Sequence, residues 1–166
     1  MVTMQEHLDT MVVDVATPDE TTFARLTGRR KVDVWFAPGY YARSTDERVA
    51  AKLVLAARLL WVARTKEYYR FKSEQLGRTV RGEGTPQTPR QEERREARAR
   101  IHAVGESSGG LVRIEAVGLF HWTVLIAPGT VPAVPEETLS AALGEAASRL
   151  IEQHENQLSS VWARAT

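Results

Sequence analysis

Arginines carry most of the chemical capacity in this sequence, and their spacing sets what they can do together. Arg94, Arg95, Arg98 and Arg100 lie in one charged stretch. On a helix Arg94 and Arg98 are i, i+4 neighbours, and Arg95 lies beside Arg98 at i, i+3. Arg29, Arg30 and Lys31 form a second cluster between two strand-like segments. Both clusters suit the neutralisation of phosphates, which supplies most of the affinity of non-specific DNA binding. The competing outcome is local: Glu92, Glu93 and Glu96 can pair with the first cluster and leave a solvated helix.

Nothing else rises to a reactive constellation. His7, His102, His121 and His154 have no metal-ligand spacing, and the chain contains no cysteine, so neither a metal nor a cofactor is expected. Ser107 and Ser108 sit beside glycines without a nucleophile elbow or a nominated base, and read as turn residues. Glu136 and Glu137 stand where a helix begins and complement its dipole. Trp35, Trp61, Trp122 and Trp162 read as core or interface side chains, because none lies in a basic–aromatic strand. The expectation is a protein that is not an enzyme.

The 166 residues are 43% hydrophobic and 26% charged with a net charge of +1, a globular composition and no polycation. No apolar run approaches the roughly 20 residues that span a bilayer. The acidic start MVTMQEHLDTMVV lacks the order of a signal peptide, and with the missing cysteines it points to the cytoplasm.

The elements that must carry the arginines are repeated. A gapless shift of 90 residues lays Thr21–Lys66 over Leu111–Asn156 and matches Gly28 with Gly118, Val34 with Val124 and Leu53 with Leu143. The Ala37-Pro38-Gly39 corner meets Ala127-Pro128-Gly129 in the same register. Such a match indicates a duplicated unit. In the first copy Met11–Ala16, Thr21–Leu26 and Val32–Phe36 read as strands of a meander, with Val32, Val34 and Phe36 on one face. A helix follows, with Ser44 and Glu47 at capping-box spacing and Gly77 as its stop. Val49, Leu53, Ala56, Leu60 and Ala63 form its core stripe. In the second copy Gln91–Ala103 reads as a charged helix. Gly105 and the Gly109-Gly110 pair bracket a turn, Leu111–Ala116 and Phe120–Ile126 are strands, and Pro135 opens the last helix. The expected domains are 1–77, a linker over 78–90, and 91–166.

Here the residues carry a resemblance. Gly105-Glu106-Ser107-Ser108-Gly109-Gly110-Leu111-Val112-Arg113-Ile114 resembles the GES-G-GLVKV signature of the YbaB/EbfC nucleoid-associated family. Ala146-Ala147-Ser148-Arg149-Leu150-Ile151-Glu152 is similar to the AA-RRIEE segment of that family's last helix. The first half also resembles small actinobacterial relatives, some of them associated with type VII secretion, in its corner and alanine-rich helix. The resemblance implies an α+β fold, a tandem of YbaB-like units in which both protomers of a homodimer share one chain. It also implies non-enzymatic, backbone-reading DNA binding through Arg94, Arg95, Arg98, Arg100, Arg29, Arg30 and Lys31, which would place the protein at the nucleoid. The sequence departs from the family in its last helix, where Glu145, Glu152 and Glu155 stand against Arg149 and Arg164.

A second function stays open. Apolar residues persist past the span of a small sheet: Tyr68, Tyr69 and Phe71 at the end of one long helix, and Leu158, Val161 and Trp162 at the end of the other. Exposed ends of that kind mark an interface. They are expected to pack on the opposite half of a monomeric pseudo-dimer, or between two chains of a homodimer. Together with the near-neutral charge, they suit a protein-interaction adaptor or chaperone-like factor, of the kind associated with type VII secretion, that binds no DNA.

Overall fold

Alternating apolar residues build two antiparallel meanders, and each feeds a long helix. A computed structural model describes residues 1–164. In the first half α1 (Met4–Thr10) is followed by β1 (Val12–Ala16), β2 (Thr22–Thr27) and β3 (Lys31–Phe36), in sheet order β1-β2-β3. A 3-10 turn at Tyr41–Arg43 leads to α2 (Asp46–Leu76). The second half repeats this with α3 (Pro89–Ala99), β4 (His102–Glu106), β5 (Val112–Val117) and β6 (His121–Ile126), then a short α4 (Thr130–Ala133) and α5 (Glu136–Arg164). The fold is α+β and built on a duplicated meander–helix unit. Each strand boundary recurs 90 residues later, as does the first residue of each long helix. The pairing register recurs too: Val12 faces Thr27 as His102 faces Val117.

The hairpin glycines show why the repeat is visible in sequence. Gly28 and Gly118 have φ of +64° and +62°, which favours glycine, and each also lies against the end of the preceding helix. A Cβ on Gly28 would stand 2.8 Å from the Asp9 carbonyl oxygen, and one on Gly118 would stand 2.7 Å from that of Ala99. Thus α1, with its Thr3–Glu6 capping box, is the first copy's counterpart of the end of α3.

The two halves share their core reciprocally. Besides its own sheet, α2 packs on β6, and α5 packs on β3. Phe36, Val49 and Leu53 of the first half are buried with Val112, Val124, Leu143 and Leu150 of the second. Ile151 in turn joins Leu26, Val32 and Leu60. The corners after β3 and β6 meet as well: Asp46, first residue of α2, accepts from Gly129 N and Val131 N, both at 2.7 Å. The Tyr41 hydroxyl donates to the Val134 carbonyl at 2.6 Å.

Three details depart from the sequence reading. The helix cap is Thr45, whose side chain accepts from Arg48 N, and not Ser44. The charged helix stops at Ala99, and His102–Glu106, read as the end of that helix and a turn, is a strand. Its buried positions are Ala103 and Gly105, so the apolar alternation that announces a strand is muted. They are small because α5 lies directly on them: a Cβ on Gly105 would fall 1.9 Å from the Ala146 carbonyl oxygen. The third departure concerns the helix ends. Phe71 stacks on His7 of α1 with ring centroids 4.1 Å apart, and Trp162 lies on α3, so these two side chains pack within their own halves. The early and middle turns of the long helices cross between the halves, and Trp162 also borders a space lined by Lys72 and Leu76 of the first half. Tyr68 packs against the cluster that Ile151 of the second half joins, and Leu158 and Val161 are half-buried.

Candidate binding groove

The helix end of α2, the segment that follows it and α3 form a concave surface. Gly77, with φ of +67°, stops α2, and its N–H closes on the carbonyls of Ser73 and Glu74. The Ser73 hydroxyl then holds the following segment at Val80, accepting from its N–H at 2.8 Å while it donates to the Tyr69 carbonyl at 2.7 Å, with the Val80 carbonyl 3.1 Å away. Thr88 caps α3 by accepting from Gln91 N, and Pro89 occupies its first turn. Between these walls lies a groove of about 650 Å³.

Lys72 from α2, Arg78 and Arg81 from the linking segment, and Arg94, Arg95 and Arg98 from α3 line it. Among the described lining residues Glu83 is the only carboxylate. The ring of Trp162, 39% exposed, closes one side, with the guanidinium carbons of Arg94 and Arg98 at 5.0 and 5.9 Å from its centroid. Lys72 lies over Tyr68 and Tyr69, 6.0 Å from each ring. Glu83 is ion-paired with Arg98. That bond, against an opposing effect of burial, holds the Glu83 carboxyl below its ordinary range, with Arg98, Arg95 and Lys72 adding attraction through space.

The arginines singled out in the sequence are therefore not one surface. Arg94, Arg95 and Arg98 share the groove, whereas Arg100 borders an adjoining hollow with Arg94, Gln157 and Val161. The hairpin cluster is distant in role. Arg29 is paired with Asp9 at 2.6 Å and bonded to Gln5, and Arg30 reaches Glu155 at 2.6 Å and Glu152 at 3.7 Å. Lys31 is exposed. The partner of Arg98 is Glu83, outside the helix, instead of the neighbouring Glu92, Glu93 or Glu96. Lys72, Arg78, Arg81 and Glu83 escaped the sequence reading because they come from a helix end and a linker. The signal was the pair of arginines flanking Thr79-Val80 and the lone acid after them.

The signature turn is structural. The buried Ser107 accepts from Val112 N at 3.1 Å, as Thr17 accepts from Thr22 N at 3.2 Å in the first copy. The Ser108 hydroxyl donates to Glu145 at 2.7 Å and accepts from Arg149 at 3.1 Å. Glu145 and Arg149 of α5 are thus engaged by the turn. Among the described residues no group of three or more His, Asp or Glu could hold a metal ion, and no helix is long and apolar enough to cross a membrane.

No protein-family model, curated protein or solved structure matches this chain. The groove must therefore be read from its own chemistry. The solvent side of the first sheet is a further exposed feature: Phe23 stacks on Trp35 at 5.7 Å, and Arg25 lies over the Trp35 ring at 5.5 Å. Arg25 is also held by Asp14 at 2.6 Å, which raises its pKa further and ties up the cation at the centre of that sheet face.

Proposed function

We propose that the protein is a non-enzymatic protein-interaction adaptor, with the groove between α2, the linking segment and α3 as its binding site. The observation that carries this reading is the form of the cationic surface. It is concave, closed on one side by the Trp162 ring and walled in part by the peptide segment that carries Arg78, Arg81 and Glu83. A DNA duplex needs cations displayed along a line of phosphates. Here Arg29 and Arg30 are engaged by Asp9, Glu155 and Glu152, and Arg94 rests on an indole. A flexible chain enters such a groove more readily than a double helix does. The backbone-reading DNA function implied by the YbaB-like residues is the competing proposal, and Arg95, Arg100 and Lys31 are the exposed cations it would use.

A gel-shift titration of duplex DNA against salt separates the two. The adaptor reading expects no shift at low salt at protein concentrations well above micromolar. The opposite result is a shift that weakens steeply with salt, and whose salt slope flattens when Arg95, Arg100 and Lys31 are replaced, by about one unit for each phosphate no longer neutralised. That result would return the function to DNA.

A further inference from the structure

We infer that the groove takes an acidic polypeptide segment, and that Glu83 is an internal competitor which a partner carboxylate displaces from Arg98. The inference rests on the adaptor reading and names its partner. Six cations, Lys72, Arg78, Arg81, Arg94, Arg95 and Arg98, converge on a space that holds one carboxylate among the described residues. Cations concentrated in a cleft favour an anionic ligand over a neutral one and speed its capture. Arginine forks match carboxylates in geometry as well as charge, and clusters of them are a recurring device for acidic motifs.

Glu83 shows what such a ligand would do. It stands in the exposed segment between Gly82 and Gly84, two residues that restrain the backbone least, and no Cβ added to either would meet anything within 4 Å. From there its carboxylate reaches across to Arg98 on α3. Arg95 and Lys72 also face it through space. The chain thus places one of its own acids where an acidic partner would bind, on a segment with room to swing away. The segment is attached upstream of Glu83 at Val80, through Ser73.

The experiment uses the full chain and a fluorescein-labelled polyglutamate peptide, read by anisotropy at low salt, with labelled single-stranded DNA as the comparison. The variants are Glu83→Gln, Arg95→Glu, and Arg48→Glu as the same charge change on an exposed residue away from the groove. The expected results are peptide binding by the wild type, about fivefold tighter binding by Glu83→Gln, weaker binding by Arg95→Glu and no change in Arg48→Glu. Equal affinity of wild type and Glu83→Gln for the peptide would overturn the competition while leaving the groove as a peptide site. Absence of peptide binding in both, or equal losses in Arg95→Glu and Arg48→Glu, would overturn the acidic-peptide assignment. Tighter binding of the oligonucleotide than of the peptide would overturn the protein-partner reading itself.

Discussion

Replacing Gly105 by alanine adds a single methyl group, and the structure gives it nowhere to go. The new Cβ would lie 1.9 Å from the Ala146 carbonyl oxygen and 2.6 Å from Leu150 N. Both are backbone atoms inside α5, so no side chain can rotate to make room. Relief requires α5 to lift from β4 or β4 to bend, and α5 also carries Leu143, Leu150 and Ile151 into both core clusters. Overpacking of a filled core costs about 1–3 kcal/mol, and a clash with rigid backbone belongs at the upper end. Against it stands a gain of about 0.4–1 kcal/mol from the stiffer unfolded chain. The net expectation is a loss of about 2–2.5 kcal/mol, or roughly 4–10 °C in Tm for a chain of this size. Urea unfolding followed by tryptophan fluorescence and by circular dichroism measures it, provided the two transitions coincide. Gly109→Ala is the matched control, since a Cβ there meets nothing within 4 Å. A Gly105→Ala protein within about 0.5 kcal/mol of wild type, or one no less stable than Gly109→Ala, would refute the claim that α5 rests on the β4 backbone.

Three further outcomes follow from other interactions. Asp46→Ala removes the acceptor of two backbone N–H groups in the opposite corner and should lower stability by about 1–3 kcal/mol in urea; a loss under about 0.5 kcal/mol would show that the corners dock without it. Trp162→Ala should cost only about 1–2 kcal/mol, below the roughly 3–5 kcal/mol of a fully buried aromatic, because the ring is 39% exposed; thermal unfolding of the variant decides this. His154 has its pKa lowered by burial first and then by Arg64, so the folded state resists its protonation. That contribution to stability is present above the ordinary histidine pKa of about 6.5 and is lost as pH falls below it through the folded value. The urea midpoint of wild type should therefore fall relative to His154→Gln between neutral and mildly acidic pH, and parallel profiles would contradict the assignment.

The repeat was legible because it rests on backbone demands that few residues meet. Gly28 and Gly118 share one left-handed conformation under one helix end, and Gly39 and Gly129 share another at the corner. The long helices were legible from stripes such as Val49, Leu53, Ala56 and Leu60, which are all buried. Strand β4 was hidden for the opposite reason: close approach of α5 selects Ala103 and Gly105, which carry no strand signal of their own. The first half has Val15 where the second has Gly105, and Val54 where the second has Gly144, whose Cβ would stand 2.7 Å from the Val32 carbonyl oxygen. Packing distance, which sequence periodicity does not encode, separates the two copies there. The groove was half legible. The α3 arginines stood out as a run, but their neighbours Lys72, Arg78 and Arg81 are brought in by the stop at Gly77 and the bond between Ser73 and Val80. Charge density in one stretch can be counted from sequence; convergence of three segments on one space cannot.

Fusing the two units through residues 78–88 also changes the arithmetic of recognition. The groove needs that segment and the eleven-residue α3, whereas the first copy opens with only the seven-residue α1. A symmetric pair of identical subunits would present every surface twice and hold two partner chains in opposed directions. A fused pair breaks that degeneracy. On the adaptor reading proposed above, it would offer an acidic partner one seat and one polarity, and would free the remaining surface of the first copy to diverge. Titration of a true partner should then saturate at one equivalent per chain.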